Sequence, residues 1–130
     1  MVYQGEHLMR MTEQAFKART KEFAHRSVRV AEALPDTRLG RIIAGQLIRS
    51  ATSVAANYRA ACRARSPNDF RNKLSICEEE CDEAAFWIEF AKDHGLVSEE
   101  QVKGLLAECN EIVAMIVASR KTSLEGSERK

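Results

Sequence analysis

Apolar residues recur in steps of three and four along four stretches of the chain, and no stretch alternates apolar and polar residues over a sustained run. A repeat near 3.6 residues is that of an α-helix that buries one face, whereas a half-buried strand repeats every two residues. The pattern is most regular in the last stretch, from Val102 to Val117. It predicts helices near residues 12–34, 38–65, 67–94 and 99–122, with frayed tails at residues 1–10 and 123–130.

The residues between these stretches are typical of helix ends. Ser66, followed by Pro67 and Asp69, has the composition of a helix start at which side-chain oxygens accept hydrogen bonds from free backbone N–H groups. Gly95 suits the left-handed position after a helix, and Ser98 begins the next one. Because the joins are short, consecutive helices are expected to be antiparallel. The predicted fold class is all-α, one domain over residues 1–130 built as an antiparallel up-down four-helix bundle.

Composition agrees with a single helical domain. The chain has 130 residues, 45% of them hydrophobic, with only 2 prolines and 6 glycines. This is too little proline and glycine for a disordered or many-turned chain, and enough apolar surface for a core. The sequence shows no secretory signal and no apolar run of the roughly 20 residues that cross a membrane. We therefore expect a cytoplasmic protein with no membrane partner.

The third predicted helix carries more apolar surface than one buried face can hold. Phe86, Trp87 and Phe90 cannot all lie on the face of Ile88, and Ile42 falls outside the main apolar face of the second helix. Such a surplus means either a wide core face or a contact with another subunit. We favour the second interpretation and predict a homo-oligomer whose interface contains Phe86, Trp87 and Phe90.

Charge is divided unevenly along the chain, although the formal net charge is only +1. Residues 10–65 hold 12 lysines and arginines and 4 acids, a net of +8, whereas residues 66–111 hold 4 and 12, a net of −8. Arginines without interleaved acids suit phosphate, because each guanidinium donates two hydrogen bonds to its oxygens and stays charged. The candidate nucleic-acid-binding residues are Arg41, Arg49, Arg59 and Arg63 of the second helix, with Lys17, Lys21 and Arg29 of the first.

The same charge pattern has a structural interpretation, in which the basic helices face the acidic ones within a subunit or between subunits. Glu80 and Glu83 are the acids best placed to reach arginines of the second helix. Both interpretations can hold at once on different residues, so the pattern alone leaves them open.

No catalytic or metal-binding motif is recognised. Cys77 and Cys81 lie one turn apart on one helical face, but zinc requires two more ligands, and Cys62 and Cys109 fall on core faces of other helices. We interpret all four cysteines as small buried hydrophobes. The prediction is a protein that is not an enzyme and uses no metal and no cofactor.

Ser53, Asn57 and Tyr58 form a polar group on the otherwise apolar second helix. A buried asparagine needs partners for both ends of its amide. We therefore predict that these residues, Asn57 above all, fix the register of one helix against another.

A longer pattern in the sequence resembles a known family. The residues that carry it are Gln46 to Arg59, Ala64 to Phe70, Lys73-Leu74, Glu79-Glu80, Asp82-Glu83 and Trp87, preceded by Thr20 to Ala24 and Leu34-Pro35. The pattern is similar to that of the small four-helix-bundle proteins encoded in intervening sequences of bacterial 23S rRNA genes, and it spans most of residues 15–117.

The resemblance implies a cytoplasmic bundle, commonly a homopentameric ring, with no known catalysis and with nucleic acid as the expected partner. A related branch resembles the accessory protein of diversity-generating retroelements, which is the partner of a reverse transcriptase. Many family members have an acid and a glycine soon after the asparagine, where this chain has Arg59, Ala60 and Ala61. That exchange makes the second helix more basic.

The functional hypothesis from the sequence is a non-enzymatic, oligomeric helical protein that binds RNA or DNA through the nucleic-acid backbone. The alternative is a protein-interaction module whose basic face docks an acidic partner, such as a reverse transcriptase.

Overall fold

The computed structural model describes residues 12–128, which form four helices and no strand. In chain order the helices are α1 (Glu13–Glu32), α2 (Arg38–Ala61), α3 (Pro67–Asp93) and α4 (Glu99–Glu128). This all-helical arrangement is consistent with a four-helix bundle. The tail predicted at residues 1–10 lies outside the described residues, as do residues 129 and 130.

Each helix begins where a side chain satisfies a free backbone N–H group. The hydroxyls of Thr12, Thr37 and Ser66 accept a hydrogen bond from the N–H three residues further on, at 2.9–3.0 Å. Ser98 accepts from the N–H of Gln101, whose side-chain oxygen accepts from the N–H of Ser98 in return. A cap of this kind contributes about 1 kcal/mol. The helix starts predicted at Ser66 and Ser98 are confirmed.

Two helices end at least two residues earlier than the apolar pattern predicts. α1 stops two residues short of its predicted end, because Pro35 disfavours helical backbone in the residue before it. α2 stops four residues short, because Ser66 before Pro67 is extended, with φ −159° and ψ 161°, and the chain must leave the helix to reach it. The expectation for Gly95 is confirmed, since it follows α3 with a φ of 73°.

α4 extends through residues that were predicted to be a tail. It continues to Glu128 rather than ending near residue 122. Arg71 of α3 accounts for the extension, because its guanidinium donates to the backbone carbonyl and the hydroxyl of Ser123, at 3.2 and 3.1 Å, and to the hydroxyl of Ser127 at 3.0 Å. The last turns are held by polar contacts, which an apolar pattern does not register.

The core lies where the apolar faces of the four helices meet. Phe23, Leu47, Ile88 and Ile112 contribute one fully buried side chain from each helix. Burial of a side chain of this size contributes about 1.5–3 kcal/mol. None of the helices in residues 12–128 is long and apolar enough to cross a membrane.

The four sides of the bundle are not equally closed. α2 contacts α1 and α3 extensively, and α3 also contacts α4, whereas α1 and α4 approach each other over fewer residues. Arg19 spans this seam, donating to both carboxylate oxygens of Glu108 at 2.7 and 2.8 Å and to Glu111 at 2.6 Å. The seam between α1 and α4 is thus closed at mid-height by polar contacts.

Candidate nucleic-acid interface

Four basic side chains line one groove between α1 and α2. Lys17 and Lys21 come from α1, and Arg59 and Arg63 come from α2. The spacing of four residues places the two members of each pair one turn apart on one face of their helix. These four residues are called the basic groove below. The groove has a volume of about 480 Å³, and its lining is completed by Gln14, Ala18, Ala55 and Ala56.

Local packing positions these cations. Phe16 packs edge-to-face on Tyr58 with ring centroids 4.6 Å apart, and each ring belongs to the residue that precedes a cation of the groove. The aromatic contact therefore fixes α1 against α2 at the level of Lys17 and Arg59. Tyr58 itself is buried, and burial raises the pKa of its hydroxyl above the ordinary value, so it adds no negative charge beside the groove.

Three of the four cations are exposed and have no acidic partner within residues 12–128. Lys21, Arg59 and Arg63 form no ion pair and no side-chain hydrogen bond in this part of the chain. Lys17 lies 3.7 Å from Glu13, whose side chain is 60% exposed, and such a surface pair is worth little. Within residues 12–128, therefore, no contact neutralises the charge of Lys21, Arg59 and Arg63 in the basic groove.

Arg49, in contrast, turns towards α3. Its guanidinium lies 3.2 Å from Glu80 and 2.5 Å from Glu83, so the structural interpretation of the charge pattern holds at this residue. The hydrogen bond from Arg49 holds the pKa of Glu83 below its ordinary value, and the same carboxylate accepts from the indole N–H of Trp87 at 3.3 Å. The predicted line of four arginines is therefore divided, and Arg49 belongs to the α2–α3 contact.

Two further predicted phosphate ligands also lie outside the basic groove. Arg41 is paired with Asp36 at 2.7 Å, at the start of α2. Arg29 is paired with Glu22 at 3.1 Å on α1. Both arginines are more than 60% exposed, so these pairs are surface contacts that solvent screens. The structure brings together only Lys17, Lys21, Arg59 and Arg63 of the predicted set.

Asn57, predicted to fix the register between helices, makes its side-chain hydrogen bonds within its own helix. Its amide donates to the carbonyl and the hydroxyl of Ser53, both at 2.9 Å, and both bonds lie within α2. The amide thus satisfies its donors one turn back along its own helix, as short polar side chains often do. Of the three predicted residues, Tyr58 makes the contact between helices, through its ring.

The surplus apolar side chains of α3 form one cluster on the surface. Phe86 lies 4.9 Å from Trp87 and 5.7 Å from Phe90 between ring centroids, and Phe90 lies 4.6 Å from His94. Phe86 is 51% exposed, whereas Trp87 is half-buried and packs against the core. Phe86, Trp87 and Phe90 are called the aromatic patch below.

Three of the four cysteines are fully buried and the fourth is half-buried. Cys77, Cys81 and Cys109 are buried as predicted, and Cys62 is half-buried. Burial raises the pKa of Cys77 to about 12, so its thiol is neutral at physiological pH. Cys81 and Cys109 meet across α3 and α4 with their sulfurs 3.1 Å apart. In residues 12–128, no three His, Cys, Asp or Glu side chains are arranged to hold a metal ion.

Sequence reasoning missed the contacts made by Arg19 and by the Cys81–Cys109 pair. Both join helices that are distant in sequence, and spacing within one helix carries no information on such partners. A usable signal for Arg19 existed in α4, where Glu108 and Glu111 flank the buried Cys109 at the edge of an apolar face.

The fold and the site together describe a four-helix protein with a basic groove between its first two helices. The profile of the 23S rRNA-intervening sequence protein family matches residues 12–118, and the chain belongs to this family. The family resemblance predicted from the sequence is thereby confirmed.

Solved structures include one that is similar over most of the chain. It is the 1.70 Å crystal structure of a protein with unknown function from the S23 ribosomal protein family of Bacteroides thetaiotaomicron VPI-5482. The two chains are 31% identical with a TM-score of 0.76, and the match covers 81% of this chain and 97% of that one. No curated protein matches this chain.

Proposed function

We propose that this protein binds the sugar–phosphate backbone of RNA or DNA through the basic groove and is not an enzyme. The observation that carries the proposal is that Lys21, Arg59 and Arg63 stand exposed around one groove without an acidic partner in residues 12–128. Arg19 and Arg49, in contrast, each join two helices and are each paired with two acids. Unpaired guanidinium and ammonium groups keep their donors free for phosphate oxygens.

The lining of the basic groove favours backbone contacts over the recognition of bases. Its floor is alanine, and no aromatic ring lines it on which a base would stack. Gln14 is the one lining side chain with both a donor and an acceptor for base edges. RNA and DNA share the phosphate that the groove suits, so we expect both to bind, with little sequence preference.

The proposal includes an assembly, an antiparallel up-down bundle that forms a homopentameric ring in the cytoplasm. The contacts between α2 and α3 support the antiparallel order. Arg49 of α2 contacts Glu83 of α3, and further along α2 the carbonyl of Val54 contacts Cys77, which lies earlier in α3. Residue numbers therefore rise along α2 in the direction in which they fall along α3. The exposed aromatic patch and the family resemblance support the ring. A ring carries several basic grooves, which converts weak phosphate contacts into avidity.

Fluorescence anisotropy of a labelled RNA hairpin and a matched DNA duplex at low salt tests the binding. The Arg59→Ala/Arg63→Ala variant should lose about tenfold or more in affinity for both ligands, because two contacts to charged groups are removed. Arg41→Ala is the matched control, since it deletes an exposed arginine of the same helix outside the groove. Its affinity should stay within about twofold of the wild type, as a surface pair contributes little.

Two results would contradict the proposal: no binding by the wild type even at low salt, or equal losses in the groove variant and the Arg41 control. If an acidic protein partner were instead bound through Arg59 and Arg63 while nucleic acid was not, the protein-interaction alternative would replace it.

A further inference from the structure

A second groove opens at the seam between α1 and α4. Its floor includes Val30, Val102 and Leu105, and Arg26 and Arg29 stand at its rim. Val102 and Leu105 are buried against the core, and the groove has a volume of about 400 Å³. These five residues are called the seam groove below. An apolar floor edged by cations suits an apolar surface that carries acids.

Arg26 is the more available of the two cations. It has no ion pair or side-chain hydrogen bond within residues 12–128. Its guanidinium lies over the seam beside Gly104 of α4, where an added Cβ would be at 3.5 Å, an ordinary van der Waals contact. Arg29 is held only by its exposed pair with Glu22, which a stronger partner can displace.

The aromatic patch of α3 has the complementary chemistry. Phe86 is half exposed, and it shares one side of α3 with the exposed acids Asp82, Glu89 and Asp93, since positions 82, 86, 89 and 93 are three or four residues apart. None of these acids has an ion pair in the described part of the chain. The exposed surface of α3 is therefore apolar with an acidic edge, whereas the seam groove is apolar with a basic edge.

The positions of the two surfaces also match. The aromatic patch lies on the α2–α3 side, where Trp87 contacts Glu83 and Glu83 contacts Arg49, and the seam groove lies on the opposite, α4–α1 side. Both lie at one end of the molecule, because short loops at residues 33–37 and 94–98 join α1 to α2 and α3 to α4 at that end. Two different surfaces at one height are what a head-to-tail contact between copies requires, and such contacts form a ring when the rotation from one subunit to the next closes.

We infer that the aromatic patch of one copy docks in the seam groove of the next, head to tail. This inference rests on the proposed assembly and specifies its interface. Arg26 and Arg29 of one subunit meet the acids of α3 in its neighbour, and Phe86 lies on the apolar floor. The basic groove, on the α1–α2 side and towards the other end of the helices, stays open to nucleic acid.

Light scattering coupled to size-exclusion chromatography of the full chain tests this interface. The wild type should have the mass of a closed multimer, and Phe86→Ser and Arg26→Glu should each shift it towards the mass of a single chain. Ile76→Ser is the matched control, an exposed apolar residue of α3 outside the patch, and should leave the mass unchanged. Circular dichroism verifies that every variant is folded.

Charge exchange makes the test specific. Adding Glu89→Arg/Asp93→Arg to the Arg26→Glu/Arg29→Glu variant should restore the multimer, because the signs at the interface are reversed together. A multimer that survives Phe86→Ser and Arg26→Glu would overturn this interface, and a wild type with the mass of one chain would overturn the ring as well. The Arg59→Ala/Arg63→Ala variant should keep the mass of the multimer while losing affinity for nucleic acid. Failure of nucleic-acid binding is therefore distinguishable from failure of this interface.

Discussion

Arg19 is the residue on which the contact between α1 and α4 depends most. Its side chain is 23% exposed and that of Glu108 is 17% exposed, so their two hydrogen bonds are only partly screened by water. Arg19→Ala should lower the free energy of unfolding by about 2 kcal/mol, because it leaves Glu108 half-buried without its partner. Urea denaturation measures the change. Arg41→Ala, which breaks an exposed pair at the start of α2, should cost less than about 0.5 kcal/mol. Equal costs for the two variants would contradict this account.

Glu83 makes the α2–α3 contact dependent on pH. Its pKa is lowered from an ordinary value of 4.5, chiefly by the hydrogen bond from Arg49. Because the pKa is lower in the folded chain than in the unfolded chain, the stabilisation is present above pH 4.5 and is lost as the pH falls through the folded-state pKa. Fluorescence of Trp87, the one tryptophan, should follow this titration, since its indole donates to Glu83. Arg49→Ala should move the midpoint of this fluorescence titration to higher pH. A midpoint that does not move would mean that another group is responsible for the titration.

Single residues divide into those the sequence could predict and those it could not. Phe86 is exposed and Cys77 is buried, as helical spacing predicts, because exposure depends on the angle around one helix. Whether Arg49 forms an ion pair, in contrast, depends on which acids of α3 lie opposite it in the folded chain. Helical spacing does not distinguish Arg49 from Arg59. Arg49 is paired because Glu80 and Glu83 lie opposite it, whereas Arg59 has no acidic partner in residues 12–128.

Among the helices, the last two turns of α4 are held in part by one side chain of α3, Arg71. One guanidinium nitrogen of Arg71, Nη1, lies within hydrogen-bond distance of the carbonyl and hydroxyl of Ser123 and of the hydroxyl of Ser127, while Leu124 in the same segment is exposed. Arg71→Ala should speed amide hydrogen exchange over residues 121–127 by roughly tenfold or more while leaving global stability nearly unchanged, because local opening then costs less. Asn72→Ala, an exposed neighbour, is the control. Protection that persists in Arg71→Ala would mean that other contacts hold the segment.

The number and type of helices were accessible from the apolar repeat, and most boundaries from capping chemistry. Ser66 and Ser98 begin helices because their oxygens satisfy N–H groups that no helix can satisfy internally. The errors lie where a distant residue or a following proline decides the end, as with Arg71 for α4 and Pro67 for α2.

At the scale of the whole molecule, the uneven charge of the sequence becomes a division of surfaces. The first two helices present the basic groove, and α3 presents exposed acids beside the aromatic patch. The sequence predicted the sign of the net charge on each half of the chain. It could not predict that four of the seven candidate cations converge on one groove, because convergence depends on how α1 and α2 pack at Phe16 and Tyr58.

The central claim is that the basic groove binds phosphate, and the salt dependence of binding tests it most directly. The observed association constant for a DNA duplex, measured against salt concentration, should fall with a log–log slope of about −3 to −4 per groove if all four cations contact phosphates. The Arg59→Ala/Arg63→Ala variant should have a slope shallower by about 2 per groove, and Arg41→Ala should match the wild type. A wild-type slope that Arg59→Ala/Arg63→Ala leaves unchanged would contradict the account.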